Sequence, residues 1–118
     1  MNFKIKRVYE PAEASDGCRV LVDRLWPRGK KKQDFDFWMR DVAPSTSLRE
    51  WFHEDMETRW EEFKKKYRQE LERSSAVKDF ISKIKGKKTV TLLYASKNVA
   101  ENHAVILRDF LRIRVSLM

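Results

Sequence analysis

The chain has 118 residues, 42% of them hydrophobic and 12% aromatic, which supplies one core without disulfides and excludes wholesale disorder. A single cysteine, Cys18, excludes an internal disulfide and any multi-cysteine zinc site, and the chain shows neither a secretory apolar segment nor a run near membrane-spanning length. The formal charge of +8 sits at the two ends: residues 1–32 carry a net +5 and residues 74–118 a net +6, whereas residues 33–73 carry −3. These features give the expectation of one cytoplasmic domain over residues 1–118 with no membrane contact. If the basic ends meet in adjacent strands, their potential adds on one surface and favours an anionic partner.

The segment Phe3-Lys4-Ile5-Lys6-Arg7-Val8-Tyr9 alternates apolar and polar residues and predicts a strand with one covered face. Residues 10–17 form a loop punctuated by Pro11 and Asp16-Gly17, with room for a single turn at Ala12–Ser15. The apolar run after Cys18 predicts a second strand over Arg19–Arg24. Pro27 and Gly29 stop it, and Lys30-Lys31-Lys32 is a solvated basic turn. Phe35, Trp38, Met39 and Val42 then recur at helical spacing and predict a first helix, capped by Asp34 or Asp36 and ended at Ala43-Pro44.

A short helix opens at Ser45–Ser47, where Ser47 and Glu50 have capping-box spacing, and buries Leu48, Trp51 and Phe52. The clearest helix runs from Glu57 to about Arg73, with Trp60, Phe63, Tyr67 and Leu71 on one stripe. Ser74-Ser75 caps the next, which turns Val77, Phe80, Ile81 and Ile84 inward and stops at Gly86. The β-branched run Thr89–Ala95 predicts a central strand covered on both faces. Asn98 and Glu101 have the spacing of a helix start, so the last helix is expected over Val99–Leu111, with Val99, His103, Ile106, Leu107, Phe110 and Leu111 inward. The tail Arg112–Met118 alternates with period two and reads either as an edge strand or as a frayed helix end.

Strand, strand, helical excursion, strand, helix predicts an α/β fold with a small, largely parallel sheet covered by helices in a single layered domain. Sites in such sheets lie at the carboxyl ends of the strands. Two such ends converge here, Asp23–Gly29 and Tyr94–His103. Arg24 and Arg28 offer planar, permanently charged forks suited to phosphate or carboxylate, and Asp23 can orient one of them or act as a base. The same residues also have a purely structural reading, an Asp23–Arg24 ion pair with Trp26 and Pro27 packing around it. His103 reads as a proton carrier or anion contact at a helix start, or as a satisfied core histidine. An exposed Trp26 would stack on a base, and a buried one would hold the turn. His53, in the acidic stretch His53-Glu54-Asp55, reads as solvated. No P-loop, GxGxxG or nucleophile elbow is present, no metal-ligand spacing is met, and no cofactor is expected.

The segments DGCRVLVDRLWPRG, APSTSLREWF, RWEEFKKKYRQEL and TLLYASKNVAENHAVILRDFL resemble the YeaO-like branch of domain-of-unknown-function family 488, from about Ile5 to Leu111. The resemblance implies an α/β fold and a bacterial- or archaeal-type cytoplasmic protein, and it carries no established reaction. Asp23, Arg24, Pro27, Arg28 and Gly29 match the first motif of the branch; Tyr94, Lys97, Asn102 and His103 match the second. A longer branch tends to place cysteine before and arginine after the histidine, where this chain has Asn102 and Ala104.

The leading expectation is a small anionic or phosphorylated, nucleotide-like ligand held between the two strand-end motifs. Arg24, Trp26, Arg28, Tyr94, Lys97 and Asn102 would bind it. Asp23 and His103 are the candidates for acid/base or hydrolytic proton transfer. The alternative is a nucleic-acid-binding module that uses the basic ends and Trp26 without catalysis. A third reading is a protein adaptor engaged through the acidic helical middle.

Overall fold

A computed structural model describes all 118 residues. Four strands, β1 (Asn2–Arg7), β2 (Cys18–Leu21), β3 (Phe37–Trp38) and β4 (Thr89–Tyr94), form one parallel sheet in the order β1-β4-β2-β3. The helices are α1 (Thr46–Glu54), α2 (Met56–Arg73), α3 (Ser75–Ile84) and α4 (His103–Ser116). The chain thus has the α/β fold with a small parallel sheet that its pattern predicts. The two basic ends do meet, because β4 lies between β1 and β2. No helix is long and apolar enough to cross a membrane.

The two faces of the sheet are covered differently. On one face, Phe3, Val20, Val22, Val90, Leu92 and Tyr94 share a core with Phe52 of α1, Phe63, Tyr67 and Leu71 of α2, Phe80 of α3 and Leu107 of α4. On the other face, Leu21 and Leu93 pack with Val8 and Phe35 beneath irregular connections. That second face also carries a buried polar group. Asp16 is 2% exposed and pairs with Lys6 and Arg19, which rise from the neighbouring strands, while the Thr91 hydroxyl donates to the Asp16 carbonyl. Burial alone would raise the Asp16 carboxyl's pKa, but the Glu13 amide, Lys6 and Arg19 outweigh it and hold it below its ordinary value. Gly17 lets this loop pass close to β4: at φ 65° it occupies the left-handed region, and a Cβ there would fall 2.4 Å from the Thr89 carbonyl oxygen.

β1 forms an edge of the sheet. The Asn2 and Val8 amides donate to the Lys88 and Tyr94 carbonyls of the β4 side, so the odd-numbered residues between them turn their backbone groups outward. Two of those three positions are engaged from within the chain. Arg112 of α4 donates to the Phe3 carbonyl, the Arg7 amide donates to the Glu10 carboxylate, and the Glu10 amide donates to the Arg7 carbonyl.

The helix expected over Phe35–Val42 does not form. In its place the chain makes a 3-10 turn at Lys32–Asp34, the two-residue strand β3, and a second 3-10 turn at Arg40–Val42. The free edge of β2 explains the difference. The Asp36 and Met39 amides donate to the Arg19 and Leu21 carbonyls, and the Arg19 amide donates to the Asp36 carboxylate. A helix would set Phe35, Trp38, Met39 and Val42 on one stripe. The extended segment instead sends Phe35 and Trp38 to the loop-covered face and Phe37, Met39 and Val42 to the helical core.

Smaller corrections concern helix starts. Ser45 rather than Ser47 caps α1: its hydroxyl accepts from the Leu48 amide and donates to Glu70 of α2. α4 begins at His103 rather than Val99, because Asn98 closes a local turn, accepting from the Ala100 and Glu101 amides, while Asn102 caps the helix by accepting from the Val105 amide. Val99 is accordingly 62% exposed and outside the core. The tail is helical through Ser116.

Candidate functional site

All four strands are parallel, so their carboxyl ends open on the same side, and a cleft of about 590 Å³ lies there. Its walls come from the ends of β2 and β4, the start of α4, and α1 with the loop before it. Asp23, Arg24, Lys97, Asn102 and His103, five of the residues the sequence singles out, line it. Phe52, Met56 and Phe63 give it an apolar side, and Arg49 and His53 of α1 add two basic groups.

Asp23 is the junction of the floor. Its Oδ2 accepts from the Ala95 amide at 3.0 Å, its carbonyl accepts from the Trp38 indole N–H at 2.8 Å, and its Oδ1 lies 3.3 Å from His103 Nε2. That Oδ1 is buried and has no well-aligned hydrogen bond. The partner of Asp23 is therefore His103, not the Arg24 that adjacency in sequence would offer. His103 Nε2 also meets the Val22 carbonyl at 3.0 Å. Beneath them lies Tyr67, fully buried, its ring edge-on to the His103 ring and its hydroxyl donating to the Val42 carbonyl. Burial, reinforced by the charges of Glu70 and Asp23, pushes the Tyr67 phenol's pKa well up, so it stays neutral.

Arg24 works on the wall. Its Nε donates to the Pro44 carbonyl at 3.1 Å and its Nη2 to the Ala43 carbonyl at 3.2 Å, which fixes the segment leading into α1. Asn102 is 3% exposed and donates to the Asn98 carbonyl while capping α4, so it shapes the turn beside the cleft. By contrast Arg49 and Lys97 are exposed, lie at the cleft, and take part in no salt bridge within the chain. His53 stands next to Arg49. Burial first, then the charge of Arg49, lowers its pKa. Arg49 and His53 are four residues apart and share one face of α1, next to the buried pair Leu48 and Phe52. That spacing is the signal that marks them, although the acidic residues after His53 obscure it.

Three residues expected in the site lie elsewhere. Trp26 is 39% exposed, but its ring packs edge-on against Phe35 and Trp38 and its N–H donates to the Lys30 carbonyl, so it holds the basic turn. Arg28 is exposed and does not line the cleft. Tyr94 is 2% exposed within the main core, and burial, with the nearby Glu10 charge, raises its pKa. No three His, Cys, Asp or Glu side chains are grouped to hold a metal ion.

Comparison with known proteins adds the family. The model of the "Inactive DUF488-N3 subclade" matches residues 2–116. The uncharacterized protein YeaO of Escherichia coli strain K12 is 46% identical over 114 residues, 95% of this chain and 98% of that one. The uncharacterized protein Rv3073c of Mycobacterium tuberculosis strain H37Rv is 43% identical over 113 residues, 94% of each chain. The uncharacterized protein Mb3100c of Mycobacterium bovis is similar to the same degree. No solved structure matches.

Proposed function

This chain belongs to the DUF488 family, in its YeaO-like branch, and from that premise we propose that it binds a small phosphorylated anion in the strand-end cleft without turning it over. One observation carries the reading: two exposed cations without a salt bridge, Arg49 and Lys97, with His53 beside them, stand at a cleft whose side is apolar. A phosphate gains charge-assisted hydrogen bonds from such groups, and the flat surface of Phe52, Met56 and Phe63 suits the non-ionic remainder of the ligand. The word "inactive" in the description of the matching subclade supports binding rather than catalysis. The nucleic-acid alternative loses its aromatic platform, because Trp26 is packed in its own turn.

The test is calorimetric titration with inorganic phosphate, ribose 5-phosphate, AMP and a short single-stranded DNA. Arg49→Ala and Lys97→Ala should each weaken binding of the phosphorylated probes about 10- to 100-fold, the equivalent of one charge-assisted hydrogen bond. Lys78→Ala on α3, an equal change of charge away from the cleft, should leave binding within about twofold. Binding of DNA alone, with a steep salt dependence and no response to Arg49→Ala, would replace this reading with the basic surface. A loss with Arg28→Ala as large as that with Arg49→Ala would move the site out of the cleft.

A further inference from the structure

The cleft carries two chemically different sets of groups, and the difference orients its ligand. At the floor, His103 Nε2 faces two groups that can only accept, the Val22 carbonyl at 3.0 Å and Asp23 Oδ1 at 3.3 Å. A lone pair on Nε2 would be repelled by both, so in the neutral ring the proton sits on Nε2 and the lone pair on Nδ1. Nδ1 has no hydrogen-bond partner within the chain and is not fully buried, and His103 lines the cleft. The Asp23 carboxylate against Nε2–H makes that lone pair a better acceptor, as a carboxylate does for a metal-bound histidine. The floor therefore presents an acceptor backed by a negative charge, which repels a phosphate. The cations at Arg49 and Lys97 attract one and outnumber the exposed Glu101 carboxylate on the same lining.

We infer that the ligand is bipolar: a phosphate ester whose anionic end lies against Arg49 and Lys97 and whose other end carries a hydroxyl or N–H that donates to His103 Nδ1. A phosphorylated sugar or a nucleoside monophosphate has this chemistry. Inorganic phosphate has only the anionic half. The inference rests on the phosphate-binding reading above and adds the orientation and the class.

Two measurements test it. In long-range ¹H–¹⁵N spectra of the free protein, the uncharged His103 ring should show the Nε2–H tautomer; the Nδ1–H tautomer would overturn the inference. In titrations, ribose 5-phosphate should bind at least about 10-fold more tightly than inorganic phosphate, the equivalent of one hydrogen bond. His103→Ala should abolish that preference. His103→Gln, which keeps a polar group at the helix start, serves as a second variant if the first is poorly folded, and should reduce the preference. Equal affinity for both probes, with both weakened alike by the His103 variants, would make His103 an anion contact and overturn the orientation while leaving the phosphate site intact. Failure of every phosphorylated probe to bind would overturn both.

Discussion

Asp23 and Ala95 join two strands beyond the end of their ladder: the Asp23 carboxylate accepts the Ala95 amide at 3.0 Å, just past the point where β2 and β4 stop pairing. The backbone thereby continues its hydrogen bonding through a side chain, and the same carboxylate faces His103. Asp23→Ala removes the acceptor and leaves the Ala95 amide and the His103 ring without it. A loss of about 1–3 kcal/mol is expected. Asp23→Asn retains an acceptor for Ala95 and should cost less. Urea denaturation of both variants checks the order.

Tyr67→Phe should destabilise the fold by about 1–2 kcal/mol, because the Val42 carbonyl loses its buried donor. The same variant has a pH signature. The folded phenol's pKa is raised above its ordinary 10.0, so its contribution is fully present below pH 10 and lost as pH rises toward the folded value. The stability difference between wild type and Tyr67→Phe should therefore shrink above pH 10. A constant difference in denaturation between pH 8 and 11 would contradict this account.

Asp16 gives the opposite signature. Its folded pKa lies below the ordinary 3.8, so its stabilisation is present above pH 4 and lost as pH falls through the folded value. Asp16→Asn should flatten the acid limb of the stability profile. Asp16→Ala takes the carboxylate partner from Arg19 and leaves Lys6 only Glu13 and the Pro11 carbonyl, and should cost about 1–3 kcal/mol at pH 7. Thermal melts from pH 2.5 to 7 read both effects.

Gly17 and Gly86 separate conformation from crowding. Both have positive φ, but a Cβ at Gly86 meets open space whereas one at Gly17 strikes the Thr89 carbonyl. Gly86→Ala should cost only the left-handed backbone penalty, about 1–2 kcal/mol. Gly17→Ala must also displace the loop from β4, so its melting temperature should fall further.

The elements that were legible in the sequence are those whose signal is long and self-contained. The stripe Trp60, Phe63, Tyr67, Leu71 spans three turns, and α2 follows it. The run Thr89–Tyr94 has no periodicity to confuse, and β4 is the strand buried on both faces. β3 was illegible because its partner residues in β2 lie seventeen positions upstream (Val20 with Phe37, Leu21 with Trp38), and four apolar residues at helical spacing mimic a helix. Asn98 and Asn102 offer the same local capping chemistry, and only packing decides that the second starts α4. The strand-end half of the cleft could be read from Asp23, Lys97, Asn102 and His103. The α1 half could not, since Arg49 and His53 reach the site through the contacts of Arg24 with the Ala43 and Pro44 carbonyls, which no local pattern records.

The occupied edge of β1 bears on how the protein behaves among its own copies. A parallel sheet with a bare border invites a foreign strand to dock and seed intermolecular β-structure. With Phe3 held by Arg112 and Arg7 by Glu10, an incoming strand finds only the Ile5 amide and carbonyl and the Phe3 amide, too few to hold it in register. The guanidinium of Arg112 thus blocks part of this edge, and Arg112→Ala should form thioflavin-positive assemblies on prolonged concentration sooner than the unaltered chain.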